Sequence, residues 1–180
     1  PIVEATPTSV LLPVTGQQSL IFASDREGSQ DIFILDLSEG SISRLTDSPA
    51  ADTQPAVSPD GQRLLFTTDR DGNNEIYLIS IDGGDPINLT NDPASDTDPA
   101  WSPDGEQVIF TTDRDGQPEV YRMNQDGSEP TNLSNSPAVE SQPSWHEQGG
   151  LLSETSRILF TSDRDENNEI YAVNSDGSDL

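Results

Sequence analysis

The chain has 180 residues, of which 33 are acidic and eight are basic, for a formal charge of −25. So negative a field repels nucleic acid and anionic lipid and attracts cations and basic partners, which excludes nucleic-acid binding as a function. With no cysteine, disulfides, thiol catalysis and zinc-thiolate sites are excluded, and no apolar run reaches the roughly 18 residues a spanning helix needs.

Residues 1–18 form an N-terminal segment. The chain opens on Pro1 rather than methionine, which points to processing of an upstream signal peptide or to excision from a longer protein. Pro1-Ile2-Val3-Glu4-Ala5 is short, apolar at Ile2 and Val3, and is expected to act as a closing or donated strand. Leu11-Leu12-Pro13-Val14 then occupies the slot of an innermost strand.

From residue 19 to residue 180 one motif recurs four times. It reads Ser24-Asp25-Arg26-Glu27-Gly28, Thr68-Asp69-Arg70-Asp71-Gly72, Thr112-Asp113-Arg114-Asp115-Gly116 and Ser162-Asp163-Arg164-Asp165-Glu166. Each copy follows an apolar run ending in Phe22, Phe66, Phe110 or Phe160, at spacings of 44, 44 and 50 residues. A period in the forties with several strand-sized runs per repeat marks an array of small sheets that bury their faces by stacking.

The third copy shows the strand pattern most clearly. Pro99 to Ser102 is a first strand and Pro103-Asp104-Gly105 its turn; Gln107 to Thr112 is a second strand rich in β-formers. After the Asp113–Gly116 turn, Glu119 to Met123 is a third strand, and Asp126-Gly127 leads to a fourth at Pro130 to Leu133. No window carries a sustained helical period. The expected fold is all-β: a β-propeller of four blades, each a four-stranded antiparallel sheet, standing alone or within a larger propeller or assembly.

Ser-Pro-Asp-Gly at 58–61 and 102–105, the Asp-Arg-Asp-Gly turns, Glu-Ile-Tyr at 75–77 and 169–171, and Asp-Gly-Ser at 126–128 and 176–178 together resemble the TolB-type β-propeller repeat. The resemblance spans residues 20 to 180. It implies four-stranded blades set radially around a channel, with the strand holding Trp101 innermost. It also implies a periplasmic or exported bacterial setting and binding to other proteins, in a family where six blades are more usual than four.

The fourth copy is irregular. It reads Trp145-His146-Glu147-Gln148-Gly149-Gly150 in place of Ser-Pro-Asp-Gly, carries six extra residues expected to loop out at a rim, and stops at Leu180 before an outermost strand. An open sheet edge invites pairing. The N-terminal segment is in register to fill it, Ile2 and Val3 lying along the strand of Ile170 and Ala172. Pairing within one chain, which the short connection favours, would close a four-bladed ring. Pairing with the next chain would build a homopolymer by strand donation.

Several residue sets carry candidate chemistry. Asp69, Asp71, Asn73 and Glu75 crowd oxygen ligands around one turn, and Asp113, Asp115 and Glu119, and Asp163, Asp165, Asn167 and Glu169, do so at equivalent turns. Hard cations such as calcium need such donors, although the spacing is not that of an EF-hand loop. The plainer alternative is that Asp and Gly serve as hairpin residues there. Arg26, Arg70, Arg114 and Arg164 are expected to bridge carboxylates between blades rather than grip an anionic ligand. His146, the single histidine, has no nucleophile motif beside it. Trp101 and Trp145 share a repeat position with Val57, which suits core packing. Asn88-Leu89-Thr90 and Asn132-Leu133-Ser134 match the N-glycosylation sequon but coincide with the slot of Arg44-Leu45-Thr46.

The expected function is a non-enzymatic, exported, acidic binding or scaffold module, stabilised by calcium, although no cofactor is required. Two alternatives stand beside it: a protomer of an extracellular filament joined through the N-terminal strand, and a propeller accessory to an enzyme.

Overall fold

The computed structural model describes residues 10–14, 17–146 and 156–180. Among them every regular element is a β-strand. The first sheet holds β1 (Val10–Val14), β2 (Gln17–Ser24), β3 (Asp31–Asp36) and β4 (Ile42–Arg44); the second holds β5 (Asp52–Val57), β6 (Arg63–Thr68), β7 (Glu75–Ser80) and β8 (Ile87–Asn88). The third holds β9 (Asp96–Trp101), β10 (Gln107–Thr112), β11 (Glu119–Asn124) and β12 (Thr131–Asn132). The fourth is three-stranded: β13 (Glu140–His146), β14 (Arg157–Ser162) and β15 (Glu169–Asn174). Each sheet is an antiparallel meander in chain order, so the repeat is four blades, with no outermost strand described in the last.

Local chemistry explains the hairpins. In Ser58-Pro59-Asp60-Gly61 the Gly61 amide donates to the Ser58 carbonyl at 2.9 Å, and Gly61 takes a φ of 71°. The Ser58 hydroxyl donates to Asp60 and accepts from the Arg63 amide at 3.0 Å, locking the start of β6. Ser102 and Asp104 repeat the arrangement before β10. Each of β5, β9 and β13 carries a bulge, and Gln54, Asp98 and Gln142 there adopt φ of 50°, 54° and 54°. A bulge re-aims side chains. Here the Gln54 amide donates to Asp98 and the Asp98 backbone N–H donates back at 3.1 Å, tying the second sheet to the third.

Alternation along the strands gives each sheet two apolar faces. The rear face of the second sheet, with Leu64, Phe66, Tyr77 and Ile79, packs on the forward face of the first, with Ile21 and Ile32. Leu65, Ile76 and Leu89 on the forward side meet Trp101, Val108, Phe110, Tyr121 and Met123 of the third. Ile109, Val120 and Leu133 in turn meet Ile158, Phe160 and Val173 of the fourth. Phe66, Phe110 and Phe160 are buried at equivalent positions, whereas Phe22 on the first sheet is only half-buried. The Trp101 indole N–H reaches across a junction to the Ala56 carbonyl at 3.1 Å, so this residue is packing, as its repeat position indicates.

The junctions run in series from first sheet to fourth. Among the described residues no extensive contact joins the first sheet to the fourth, so these four blades form an arc of a propeller. Residues 1–9, with Ile2 and Val3, lie outside the described residues, as do residues 147–155, where the six-residue insertion falls.

Close approach at the junctions makes one glycine critical. A Cβ at Gly127 would lie 2.3 Å from the Leu89 carbonyl oxygen of the preceding sheet, whereas one at Gly83 would meet nothing within 4 Å. Both have positive φ, 84° and 90°, so Ala costs left-handed strain of about 1–2 kcal/mol at either. Gly127→Ala is therefore expected to lower stability clearly more than Gly83→Ala, measured by denaturant unfolding.

Candidate functional site at the acidic turns

The Asp-Arg-Asp turns join the second and third strands of their sheets, at the same end as the linkers between sheets. At this end three of the four turn arginines are paired locally with a buried acid, while Arg26 is exposed and donates to the Ser24 hydroxyl at 3.1 Å. The Arg70 guanidinium pairs at 3.0 Å with Asp52, whose side chain is fully buried at the start of β5 in the same sheet. Arg114 pairs likewise with Asp96 at 3.2 Å, and Arg164 with Glu140 at 3.0 Å. The arginines thus bridge within a blade, not between blades. Their partner acid stands across the β-ladder from the residue that opens the turn, Asp52 opposite Thr68, Asp96 opposite Thr112 and Glu140 opposite Ser162. Each guanidinium also covers an aromatic pair: Arg70 lies 5.4 Å from the Phe66 ring and 4.7 Å from Tyr77, and Arg26 lies 4.9 Å from both Phe22 and Phe33. Burial holds the Asp96 carboxyl above the usual carboxylate range, against the Thr112 hydroxyl and Arg114 that favour its charge.

The turn carboxylates have partners of their own. Asp69 accepts from the Ala51 amide at 2.9 Å, Asp113 from Ser95 at 2.9 Å and Asp163 from Val139 at 2.8 Å, each fastening the linker that enters its sheet. Asp71, Asp115 and Asp165 accept the phenolic protons of Tyr77, Tyr121 and Tyr171. Glu75 is buried and accepts from the Asn73 amide at 2.8 Å, the Thr90 hydroxyl and the Asp92 backbone amide. Glu119 accepts from Gln117 at 2.8 Å and from Asn132. The exposed Glu169 accepts from Asn167 at 2.8 Å. Among the described residues no three His, Asp or Glu side chains converge as metal donors.

The two sequon asparagines sit inside the same network. Asn88 donates its side-chain amide to Asp71 at 3.1 Å and accepts from the Thr90 and Asn91 backbone amides at 3.0 Å. Asn132 donates to Asp115 at 3.0 Å. The hydroxyls of Thr90 and Ser134 accept from the Ile76 and Val120 amides at 3.0 Å, as Thr46 does from Ile32 at 2.9 Å. In the first sheet Arg44 stands in the asparagine slot and pairs with Glu27, Asp31 and Asp47. Ile170 and Ala172 lie on β15, Ile170 largely bare, and His146 is exposed on β13.

The sequence reading missed the acids Asp52, Asp96 and Glu140 and the Asp–Tyr pairs six residues apart. The signal for both lies in aligning the copies, because the acids recur 44 residues apart and Phe33 replaces tyrosine only where Glu27 replaces aspartate.

With Arg70, Arg114 and Arg164 and their buried acids committed to the fold, the charge left at this end is predominantly acidic. Asp25, Glu27, Asp47, Asp69, Asp71, Asp113, Asp115, Asp163 and Asp165 are all exposed there. The surface suits a cationic ligand or a basic protein segment.

The pairing of Arg70 and Asp52 gives a direct test. Arg70→Ala strands a buried carboxylate and is expected to cost about 3–5 kcal/mol in chemical denaturation, whereas Asp69→Ala, at the surface, costs about 1 kcal/mol. Arg70→Lys does not rescue, because an ammonium cannot both fork and cover two rings. The tyrosines give a pH test. Burial, then the Asp71 and Asp115 carboxylates, push the Tyr77 and Tyr121 phenols up to about 12. A pKa raised on folding contributes stability below the unfolded value of 10.0 and loses it as pH climbs toward about 12. Phenolate absorbance is therefore expected to rise late, together with loss of the fold, and Tyr121→Phe removes part of that alkaline sensitivity.

The model of the TolB beta propeller domain matches residues 14–87 and 55–157. No curated protein sequence matches significantly. Among solved structures, the chain is similar to a protein described as a TolB from Agrobacterium tumefaciens at 23% identity and a TM-score of 0.76, covering 89% of this chain and 59% of that one. A TolB from Acinetobacter baumannii is similar at 24% identity and a TM-score of 0.65, covering 87% and 40%. A puromycin-hydrolyzing peptidase from Mycobacterium tuberculosis is similar at 19% identity and a TM-score of 0.72, covering 92% and 27%. The chain thus spans less than two thirds of each of these proteins, and the likeness is one of fold. Two overlapping family matches, laid over blades that repeat the same turns, make this chain a member of the TolB beta propeller domain family.

Proposed function

We propose that the chain is a non-catalytic binding module that presents its acidic turn end to a basic protein segment. The observation that carries this reading is the one-sided charge: each of Arg70, Arg114 and Arg164 is paired to a buried acid of its own sheet, while Asp69, Asp113 and Asp163 remain exposed. An uncompensated field of one sign raises the local concentration of oppositely charged partners and speeds their encounter. Membership of the TolB family supports a protein-interaction role and a periplasmic bacterial setting. Among the described residues no helix is long and apolar enough to cross a membrane. Calcium is the inorganic ligand suited to the same oxygens, and by screening the −25 charge it stabilises the fold.

Binding of an arginine-rich peptide, followed by fluorescence anisotropy against an acidic control peptide, tests the proposal. The basic peptide is expected to bind, to weaken as salt rises and to be competed by millimolar calcium. The triple variant Asp69→Asn, Asp113→Asn, Asp163→Asn keeps an oxygen acceptor for each linker amide and removes three charges; it is expected to bind roughly tenfold more weakly. Equal binding of the two peptides, or an unchanged affinity in the triple variant, contradicts the reading.

A further inference from the structure

The hairpins joining first and second strands lie at the end opposite the acidic turns, and there two internal junctions follow one pattern with two residues exchanged. Where the second sheet meets the third, the space is filled by Arg63, at the head of β6. Its guanidinium carbon lies 4.7 Å from the centre of the Trp101 ring. Nη1 donates to the Gln125 side-chain oxygen at 2.5 Å, and Nη2 is 3.9 Å from the Asp60 carboxylate. One junction further on, Trp145 holds the place of Trp101 and Asp104 that of Asp60, but Gln107 replaces Arg63 and Ser175 replaces Gln125. The space that the guanidinium fills at the first of these junctions is at the second a cavity of about 340 Å³, lined by Asp104, Gln107, Trp145 and Ser175 among others. That volume is in the range of small-ligand sites.

The exchange removes the cation and leaves the groups that received it. Asp104 accepts from the Ser102 hydroxyl at 2.6 Å and the Glu106 amide at 3.0 Å, both through Oδ1, and Oδ2 has no partner among the described residues. The Ser102 hydroxyl, then the Glu106 amide, hold this carboxyl below the usual carboxylate range, so it stays charged at neutral pH. The Gln107 side-chain amide is likewise without a hydrogen bond among the described residues. Trp101 is buried under its arginine, whereas Trp145 is only part-buried. The Trp101 indole N–H donates to Ala56, but that of Trp145 is buried without a partner, so this ring lacks the bond that fixes its counterpart. The arginines of the third and fourth sheets on this side are already bonded: Arg122 donates to the Ser175 carbonyl at 2.6 Å, and Arg157 to the Ala172 and Asp179 carbonyls at 3.1 and 3.0 Å.

We propose that this cavity binds a guanidinium group from outside the chain, of the kind an arginine side chain carries. The group stacks on the Trp145 ring as Arg63 stacks on Trp101, and its N–H fork serves Asp104 Oδ2 and the Gln107 side-chain oxygen. Indole is the aromatic ring that attracts a cation most strongly. A guanidinium suits the place better than an ammonium, because it is planar, weakly hydrated and forked. The cavity is at the opposite end of the sheets from the acidic turns, so it stands or falls independently of the binding proposed there.

Nitrogen-15 NMR of the full chain provides the test, because its two tryptophans give two indole N–H signals, assigned with Trp145→Phe. The probe is Nα-acetylarginine amide, and the control is the citrulline analogue, equal in shape but neutral. The Trp145 signal is expected to shift with the probe, with half-saturation on the order of 1 mM, while that of Trp101, already covered by Arg63, stays in place. Asp104→Asn keeps an acceptor for Ser102 and Glu106 but loses the charge, and is expected to weaken binding about tenfold. Gln107→Arg supplies the group from within the chain; it is expected to raise resistance to denaturant and abolish the probe's effect. The triple variant Asp69→Asn, Asp113→Asn, Asp163→Asn is expected to leave the shift unchanged, which separates this site from the acidic turns. Free arginine acting as well as the amide supports the site with a small solute as ligand; the amide acting alone supports it with an arginine of a peptide chain. A Trp145 signal that the probe does not move, as when the chain itself fills the cavity, overturns the proposal. So does an equal shift with the citrulline control, or undiminished binding in Gln107→Arg.

Discussion

Everything in this chain rests on one contact made three times: the aromatic rear face of one sheet buried on the aliphatic forward face of the one before it. A blade with two apolar faces cannot bury both by itself, and with apolar residues at only 31% of the sequence there is little to spare for any other core. The junctions concentrate that supply. Fully burying a Leu, Ile or Phe contributes about 1.5–3 kcal/mol, and Leu65, Ile76, Val108 and Phe110 are all at 0% exposure within a single junction. Gly127 shows how tight the fit is, since it sits where no side chain can and lets the turn rest on the Leu89 backbone.

The polar groups are organised sheet by sheet. Each complete turn unit contains its own cation, buried acid and aromatic pair, as in Arg70, Asp52, Phe66 and Tyr77. A buried carboxylate is costly unless paired and hydrogen-bonded, so a unit that satisfies itself internally can be copied along the chain without consulting its neighbour. The function proposed here follows from this. Because the cations are spent inside the blades, the surface at the turn end inherits the acids.

Much of this was legible in the sequence. The strand Gln107–Thr112 is found as expected, because its alternation and flanking turns leave one register open. The fourth strands are less legible: β8 and β12 are two residues each, and the apolar residue and the hydroxyl that serve the third strand, Leu89 with Thr90 and Leu133 with Ser134, follow them. A periodicity of two cannot be read from two residues. The arginines pair within their own sheet rather than across a junction, as Arg70 does with Asp52, and this is not legible, because sequence spacing shows that Arg70 recurs but not which acid the β-ladder brings to it. The first sheet holds the clearest hint. Its loss of the tyrosine hydroxyl at Phe33 goes with Glu27 turning instead to Arg44.

If the junctions hold the molecule together, sheets buried on both sides must be more resistant to opening than those buried on one. Native-state hydrogen exchange measures this directly. Amides of β6, β7, β10 and β11 are expected to exchange slowest, near the global unfolding limit, and those of β14 and β15 markedly faster. Protection of β15 equal to that of β11 would contradict the account, because the stability would then reside in each sheet and not in the faces between them.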